Sequence, residues 1–379
     1  MKHTVLESPG LAGHAKRFVW VALDTDKEAN AEALKKYPVS AWPTFFVIGP
    51  NGQVAAQFLG SASVKQFREF LDQGEAAART DAPADSLIGK LRAADQASSA
   101  QNYKKAAANY RAALKAAPPH WSRRPDVLVS YISTLFKAGD QTGCAKLGEQ
   151  ALESTLAAKS ASTADFASYA NQCANNAFKA KRLEKFRNTS IQAIKTLLTD
   201  PMAALSADDR SDGWRIIREI ELARGHQDAA KEAAKKQQAI LDQAAAAADN
   251  PFFAMTYNWP RAEVYVYLGE ADKLVDPLKA STAALPKEYD PPYRLAWVLL
   301  KLKRYDEARK AAQASAALVY GPRKARVLSV LADIEKADGH IAAAKAALNQ
   351  AIRHLQSLPE GQQRPAAMKR ITVALKALK

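Results

Sequence analysis

The sequence predicts a small α/β module at the front of the chain, followed by an all-α region built of helical hairpins. Three observations lead there. Before residue 75, short β-branched and aromatic runs alternate with amphipathic stretches, whereas after Asp85 nearly every segment is Ala-rich, studded with Lys, Arg and Gln, and punctuated by Pro, Gly and Asp. The charge changes at the same place. Residues 1–80 hold nine Lys/Arg against eight Asp/Glu and the rest holds 45 against 31, so +14 of the net +15 falls on the helical part. A chain of 379 residues also has room for about two or three domains, each with its own core.

The front elements read in order as a helix from Thr4 to Ala15, broken around Pro9 and Gly10; a strand from Phe18 to Leu23; and a helix from Glu28 to Lys36. A strand from Thr44 to Ile48 comes next, then a tight turn at Pro50-Asn51-Gly52, a strand from Gln53 to Phe58, and a helix from Val64 to Gln73. Asn-Gly supplies the positive φ angles a short hairpin needs, so the last two strands are expected to pair antiparallel. The Ala-, Thr- and Pro-containing stretch 76–86 reads as a linker between a module at 1–75 and a helical region at 87–379.

Composition excludes several classes. With 48% hydrophobic and 25% charged residues the chain is neither disordered nor collagen-like, and two cysteines cannot make a disulfide scaffold. His3, His14, His120, His226, His340 and His354 lack metal-ligand spacing to one another or to Cys144 and Cys173, so no metal site is expected. No Ser-His-Asp set, phosphate loop or dinucleotide fingerprint is present, and no cofactor is expected. The chain has no apolar run long enough to span a membrane, and its first 20 residues lack the basic start and apolar core of an export signal. As written it reads as cytoplasmic; an additional upstream segment would make the periplasm or secretion the expectation.

Val21-Ala-Leu-Asp24-Thr-Asp26, then Tyr37-Pro-Val-Ser-Ala-Trp42-Pro43-Thr44, then Gly52 and Gly60, resemble the thioredoxin fold from its first helix onward. The resemblance implies a cis bond before Pro43, with Trp42, Pro43 and Thr44 forming a surface that holds an extended peptide. It also implies that the family's C-x-x-C pair, and the central strand before it, would lie ahead of Met1. Met1-Lys-His-Thr-Val-Leu-Glu-Ser-Pro resembles the residues just after that pair in the branch carrying an internal methionine. Loss of that strand would leave two inner sheet edges with unpaired backbone groups. The expectation is an internally started or clipped form of a longer protein, or else a degenerate, redox-inactive binding module.

Leu295-Ala296, Lys303 to Ala308, Ala312 and Ser315 recur 36 residues on as Leu331-Ala332, Gly339 to Ala344, Leu348 and Ala351. With Ala94, Gln101 to Ala106, Tyr110, Ala113 and Pro118, these units resemble tetratricopeptide repeats. Turn landmarks fall at 101, 139, about 181, 225, 269, 303 and 339, which gives about seven hairpins in one solenoid. Such repeats imply a groove lined by the first helix of each hairpin. Trp214, Arg218, Arg261, Tyr265, Tyr293 and Arg294 are the main candidates for it, with Tyr131, Tyr169, Asn171, Asn175, Trp297, Lys301 and Arg326 beside them. For each, packing between helices is the competing reading. The aromatic stretch Asn250 to Pro260 reads as the seal of a hairpin joint, with a ligand pocket walled by Phe252, Phe253, Tyr257 and Trp259 as the alternative. Cys144 and Cys173 read as buried thiols that behave as small hydrophobes, or as a disulfide in an oxidising compartment.

Three functions compete. The first is a protein-interaction scaffold, a redox-inactive thioredoxin-like module joined to a basic solenoid that binds protein or acidic peptide partners. The second is a thiol-disulfide oxidoreductase whose C-x-x-C lies upstream of Met1. The third is nucleic-acid binding, ranked last. The tail from Ala342 to Lys379 holds seven Lys/Arg and one acid, but its cations are scattered at helical intervals with no recognition motif.

Overall fold

Ala, Leu, Lys and Gln lose least on entering a helix, and the chain after Asp85 is made largely of them. The computed structural model describes residues 1–79 and 82–378. It is 72% helical, and its one sheet among the described residues has two strands, so the protein is mainly all-α.

The front of the chain forms α1 (Ala31–Lys36), β1 (Thr44–Ile48), β2 (Val54–Leu59) and α2 (Val64–Arg79). β1 and β2 pair antiparallel, from Thr44 opposite Leu59 to Ile48 opposite Val54, around a turn in which Gly52 takes a φ of 71°. Three expectations are corrected here. The helix from Thr4 to Ala15 is instead a π turn, Lys2–Leu6, and a 3-10 turn, Pro9–His14. The segment Phe18 to Leu23 is not a strand, and Val19 and Val21 are 93% and 71% exposed. β-branched sequence favours extension, but a strand needs a partner, and the sheet offers none there. The helix from Glu28 is a 3-10 turn, Glu28–Asn30, that runs into the short α1. The strand order of a thioredoxin-like domain is therefore not formed. α2 continues to Arg79, into the stretch expected as a linker, of which Thr80 and Asp81 lie outside the described residues.

The helical region begins with α3 (Leu87–Ser99), α4 (Tyr103–Ala116), α5 (Arg124–Lys137), α6 (Gln141–Thr155), α7 (Ser162–Ala177), α8 (Ala180–Thr199), α9 (Ala207–Ala223) and α10 (Gln227–Ala246). It continues through α11 (Pro251–Met255), α12 (Asn258–Leu268), α13 (Val275–Ala284), α14 (Asp290–Lys301), α15 (Tyr305–Leu318), α16 (Arg323–Ala337), α17 (Ile341–Ser357) and α18 (Pro365–Lys376). Gln101, Gly139, Gly225, Gly269, Lys303 and Gly339 take the left-handed conformation at the hairpin turns, which is how a helix closes and the chain reverses within a few residues. Asn102 and Asp140, each next to such a residue, cap the helix after them through their side chains.

The chain packs as two units. The first comprises Met1–Val21 with Tyr37–Ala233, the second Ala22–Lys36 with Ala234–Lys379. In the first unit α2 lies on the hairpin through Phe45, Phe58, Phe67 and Phe70, all in edge or tilted ring contact. β2 is buried along its whole length and packs against α3 and α5. Its unpaired side is not left orphaned: the Gln57 N–H donates to the buried carboxylate of Asp95 on α3 at 3.0 Å, and Tyr110 of α4 donates to the other oxygen at 2.6 Å. The helix pairs α3/α4, α5/α6 and α7/α8 share one core with α9. Cys144 of α6 and Cys173 of α7, both fully buried, are disulfide-bonded with Cα atoms 5.9 Å apart, so they are not free thiols.

In the second unit α12 and α13 both pack on the 3-10 turn Ala271–Leu274 and on α14, the pairs α14/α15 and α16/α17 follow, α14 also touches α16, and α18 closes on α17. Their core runs from Ala234 and Leu241 through Leu299 to Ile334, and a neighbouring cluster joins α16, α17 and α18. Among the described residues no helix is long and apolar enough to cross a membrane.

Candidate functional site

At the front of the chain, the residues expected to hold a peptide sit on the turn into β1. The Trp42–Pro43 bond is cis, Trp42 is 58% exposed, and Thr44 donates its hydroxyl to the Ala41 carbonyl at 2.7 Å. The Pro43 carbonyl accepts the Gly60 N–H at 3.0 Å. Both cysteines of the chain are occupied with each other in the α6–α7 link.

In the helices of the first unit, the groove candidates other than Asn175 are buried or half-buried. Tyr131 is buried and accepts from Arg111, Asn171 is buried and donates to Ser190 and to the Ala167 carbonyl, and Tyr169 meets Phe136 in a tilted ring contact. Trp214 packs half-buried on the core and Arg218 is buried. Asn175 and Arg187 bond across the mouth of a cleft of about 70 Å³ between α7, α8 and α9. A pocket for a small molecule needs about 300 Å³ or more, so this cleft takes water or a single side chain.

In the second unit the candidates converge. On α12 and α14, the guanidinium of Arg294 lies over the rings of Trp259 and Tyr293 at 4.5 and 4.6 Å, and bonds Asp290 one turn back. Trp259 meets Trp297 edge-on at 5.2 Å, and the exposed Lys301 lies over Trp297 at 5.3 Å. Arg261 and Tyr265 both bond Asp242 of α10, at 2.8 and 2.7 Å. Tyr293 is buried, and the surroundings raise its hydroxyl pKa through that burial against the pull of Arg294 and of the exposed Arg326 on α16. The aromatic stretch from Asn250 thus closes the α12–α14 joint through Trp259, while Phe252 is 54% exposed. Trp297 is half-buried, packs against the core of the unit and carries a cation on its face.

A second arrangement in this unit has no counterpart in the sequence reading. The segment Ala22–Lys36 lies on the loops that come after α15 and α17. Tyr320 donates to Asp24 at 2.6 Å and Arg323 pairs with Asp26 at 2.5 Å. Gln362, fully buried, donates its amide to the carbonyls of Thr25 and Lys27 at 3.2 and 2.8 Å. Burial pushes the Asp24 carboxyl up, but the hydrogen bonds from Tyr320 and the Asp26 N–H outweigh it and hold the group below its ordinary value. Asp26 goes the other way: burial raises it, although Arg323 pulls it down and Arg326 and Arg364 add positive field. Among the described residues no group of His, Cys, Asp and Glu is placed to hold a metal ion.

No protein-family model matches the chain, and no curated protein matches it. Solved structures do resemble it. BtubC (BKLC) from P. vanneervenii has a TM-score of 0.37 at 15% identity, over 52% of this chain and 82% of its own. A thermophilic TPR protein of Thermus thermophilus has a TM-score of 0.35 at 18% identity, over 57% of this chain and all of its own. The TPR2AB domain of yeast Sti1, solved with pHSP90, has a TM-score of 0.29 at 12% identity, over 77% of this chain and 98% of its own. Likenesses this distant carry no functional inference. The chain's own helix pairs make it a mainly all-α protein built of antiparallel helical hairpins.

The aromatic and cationic residues of α12 and α14 were legible because repeat spacing puts them on first helices. The contact made by Asp24 and Asp26 was not, since 296 residues separate Asp24 from Tyr320 and no local pattern joins them.

Proposed function

We propose that the chain is a protein-interaction scaffold whose C-terminal hairpins take an acidic segment of a partner protein on the arginine and aromatic face of α12 and α14. One observation carries the reading: Arg294 and Lys301 are held on the faces of Trp259, Tyr293 and Trp297. A cation already ordered against a ring has lost its rotamer freedom before binding, and Trp, Tyr and Arg are the residues that dominate protein interfaces. The excess charge of the helical region favours an acidic partner and speeds its approach.

The front residues up to 75, apart from Ala22–Lys36, enter as a second, redox-inactive contact module with Trp42, Pro43 and Thr44 on its surface. The β1–β2 hairpin leading into α2, and the exposure of Trp42, support a resemblance to an incomplete thioredoxin domain. The strand that the resemblance calls for at Phe18 to Leu23 is missing from that support.

Fluorescence anisotropy with a set of acidic peptides, each carrying one aromatic residue, and a charge-reversed set tests the reading. The acidic set is expected to bind, to weaken with salt, and to lose about tenfold affinity on the Arg294→Ala/Lys301→Ala protein, a change of about 1.4 kcal/mol. Equal binding of both sets, or no effect of the variant, would count against it.

A further inference from the structure

The segment Ala22–Lys36 is flanked by Val21 and Tyr37, which belong to the first unit, yet it belongs to the second. It is held there as a ligand would be. Its backbone is read by Gln362, a fully buried side chain that donates to two peptide carbonyls of the segment, those of Thr25 and Lys27. Its backbone is also admitted by two glycines. A Cβ at Gly321 would lie 2.1 Å from the Asp26 carbonyl oxygen, and one at Gly361 would lie 2.2 Å from that of Ala31. Either would force the segment away. His354 supports the Gly321 loop from behind by bonding its carbonyl at 2.8 Å.

The side chains are read separately. Tyr320 takes Asp24 and Arg323 takes Asp26, with Arg326 and Arg364 facing the same carboxylate. Ala31 and Leu34 are the buried apolar anchors, whereas Leu23 remains 44% exposed. Two carboxylates, two carbonyls, two apolar anchors and the exposed Lys35–Glu360 ion pair make a peptide-sized interface, not a domain core, and such interfaces exchange.

We propose that Ala22–Lys36 is an intramolecular ligand: Tyr320, Arg323, Arg326, Gln362 and Arg364 form a receptor for a turn-forming Asp-x-Asp peptide of a partner protein, and the chain's own segment keeps it closed until such a peptide displaces it. This rests on reading the C-terminal hairpins as a peptide-binding surface, but at the loop edge after α15 and α17 and not at the face of α12 and α14.

The probe is a fluorescein-labelled peptide of sequence ALDTDKEANAEALKK, added to the full chain and monitored by anisotropy. The Asp24→Asn/Asp26→Asn protein should bind it at least tenfold more tightly than the wild type, because the competing segment is weakened. Adding Arg323→Ala and Arg326→Ala should erase that gain. Equal affinity of wild type and Asp24→Asn/Asp26→Asn, or a gain that survives the arginine changes, overturns the proposal. If the asparagine variant fails to fold, amide exchange on the wild type decides instead. Asp26, Lys27 and Asn30 donate their N–H groups to the Asp24 carboxylate and to the Asp24 and Lys27 carbonyls. Millimolar unlabelled peptide should speed their exchange, and unchanged exchange at every concentration overturns the proposal. Acidic-peptide binding that is unchanged by Arg294→Ala/Lys301→Ala, with peptide-induced exchange in Ala22–Lys36 intact, would sink the scaffold face alone; the converse would sink the intramolecular ligand alone.

Discussion

Replacing Asp95 with asparagine should abolish a pH dependence built into the first unit. Asp95 is 1% exposed and joins the edge of β2 to α3 and α4 through Gln57 and Tyr110. Burial pushes its carboxyl up to about 7, from 3.8, against the opposing pull of Tyr110 and Arg123. The folded carboxyl therefore keeps its proton to higher pH than the unfolded one. Between roughly pH 4 and 7 the native state binds the extra proton, so stability is greatest at the low end and falls as pH rises through that window. A shift of about three units corresponds to about 4 kcal/mol, at about 1.36 kcal/mol per unit. Asparagine matches the protonated acid in shape and neutrality and has no charge to desolvate, and its amide nitrogen carries two donors where the acid carries one. The stability difference, wild type minus Asp95→Asn, should therefore become more negative by about 2 to 4 kcal/mol between pH 5 and 8. Urea titrations at pH 5, 6, 7 and 8 measure it, with pulse-labelled amide exchange over Val54–Leu59 so that the first unit is scored by itself. Asp165, whose carboxyl burial and Asp212 push up to about 8, titrates in the same range but is common to both proteins and cancels in the difference. A difference that stays flat from pH 5 to 8 would refute the assignment of Asp95 as a buried acid that resists ionisation.

Two further outcomes concern the same unit. Reducing the Cys144–Cys173 bond, which spans 29 residues of sequence, should cost about 3 to 4 kcal/mol of its unfolding free energy; an unchanged urea midpoint after complete alkylation would show that the link adds nothing. Arg123, buried with Asp126 at 2.8 Å and donating to Gln73 at 2.6 Å, should lose about 3 to 5 kcal/mol on replacement by Ala, because the Asp126 charge is left buried and unpaired. Arg123→Met combined with Asp126→Leu should recover most of that loss by the same urea assay, and failure to recover would point to the Gln73 contact instead.

Hairpin turns were legible wherever the chain must enter the left-handed region. Gly139, Gly225, Gly269 and Gly339, with Gln101 and Lys303, stand at six of the seven landmarks read from the repeat. The seventh was misplaced. α7 and α8 join through Phe178 and Lys179 in extended conformation, with no glycine to mark them, and residue 181 lies inside the first turn of α8. The strand read at Phe18 to Leu23 shows the opposite failure, since its residues have the composition of a strand and none of the neighbours. The cysteines were ambiguous for a related reason: whether two buried thiols meet depends on how α6 packs on α7, which their spacing does not contain.

The sequence alone determined what is local: that the segments after Asp85 are helical, where most of them turn, that the hairpin at Asn51-Gly52 closes, and that the aromatic residues of α12 and α14 share the first helices of their hairpins. Helix propensity, capping and positive φ act within a few residues, so they are written in neighbouring letters. Tertiary structure decided the rest. It set Asp95 under the open edge of β2, joined Cys144 to Cys173, and laid Asp24 and Asp26 against Tyr320 and Arg323. Each of these is a pairing of polar or sulfur groups that water would otherwise satisfy, and it exists only because distant helices have already excluded that water.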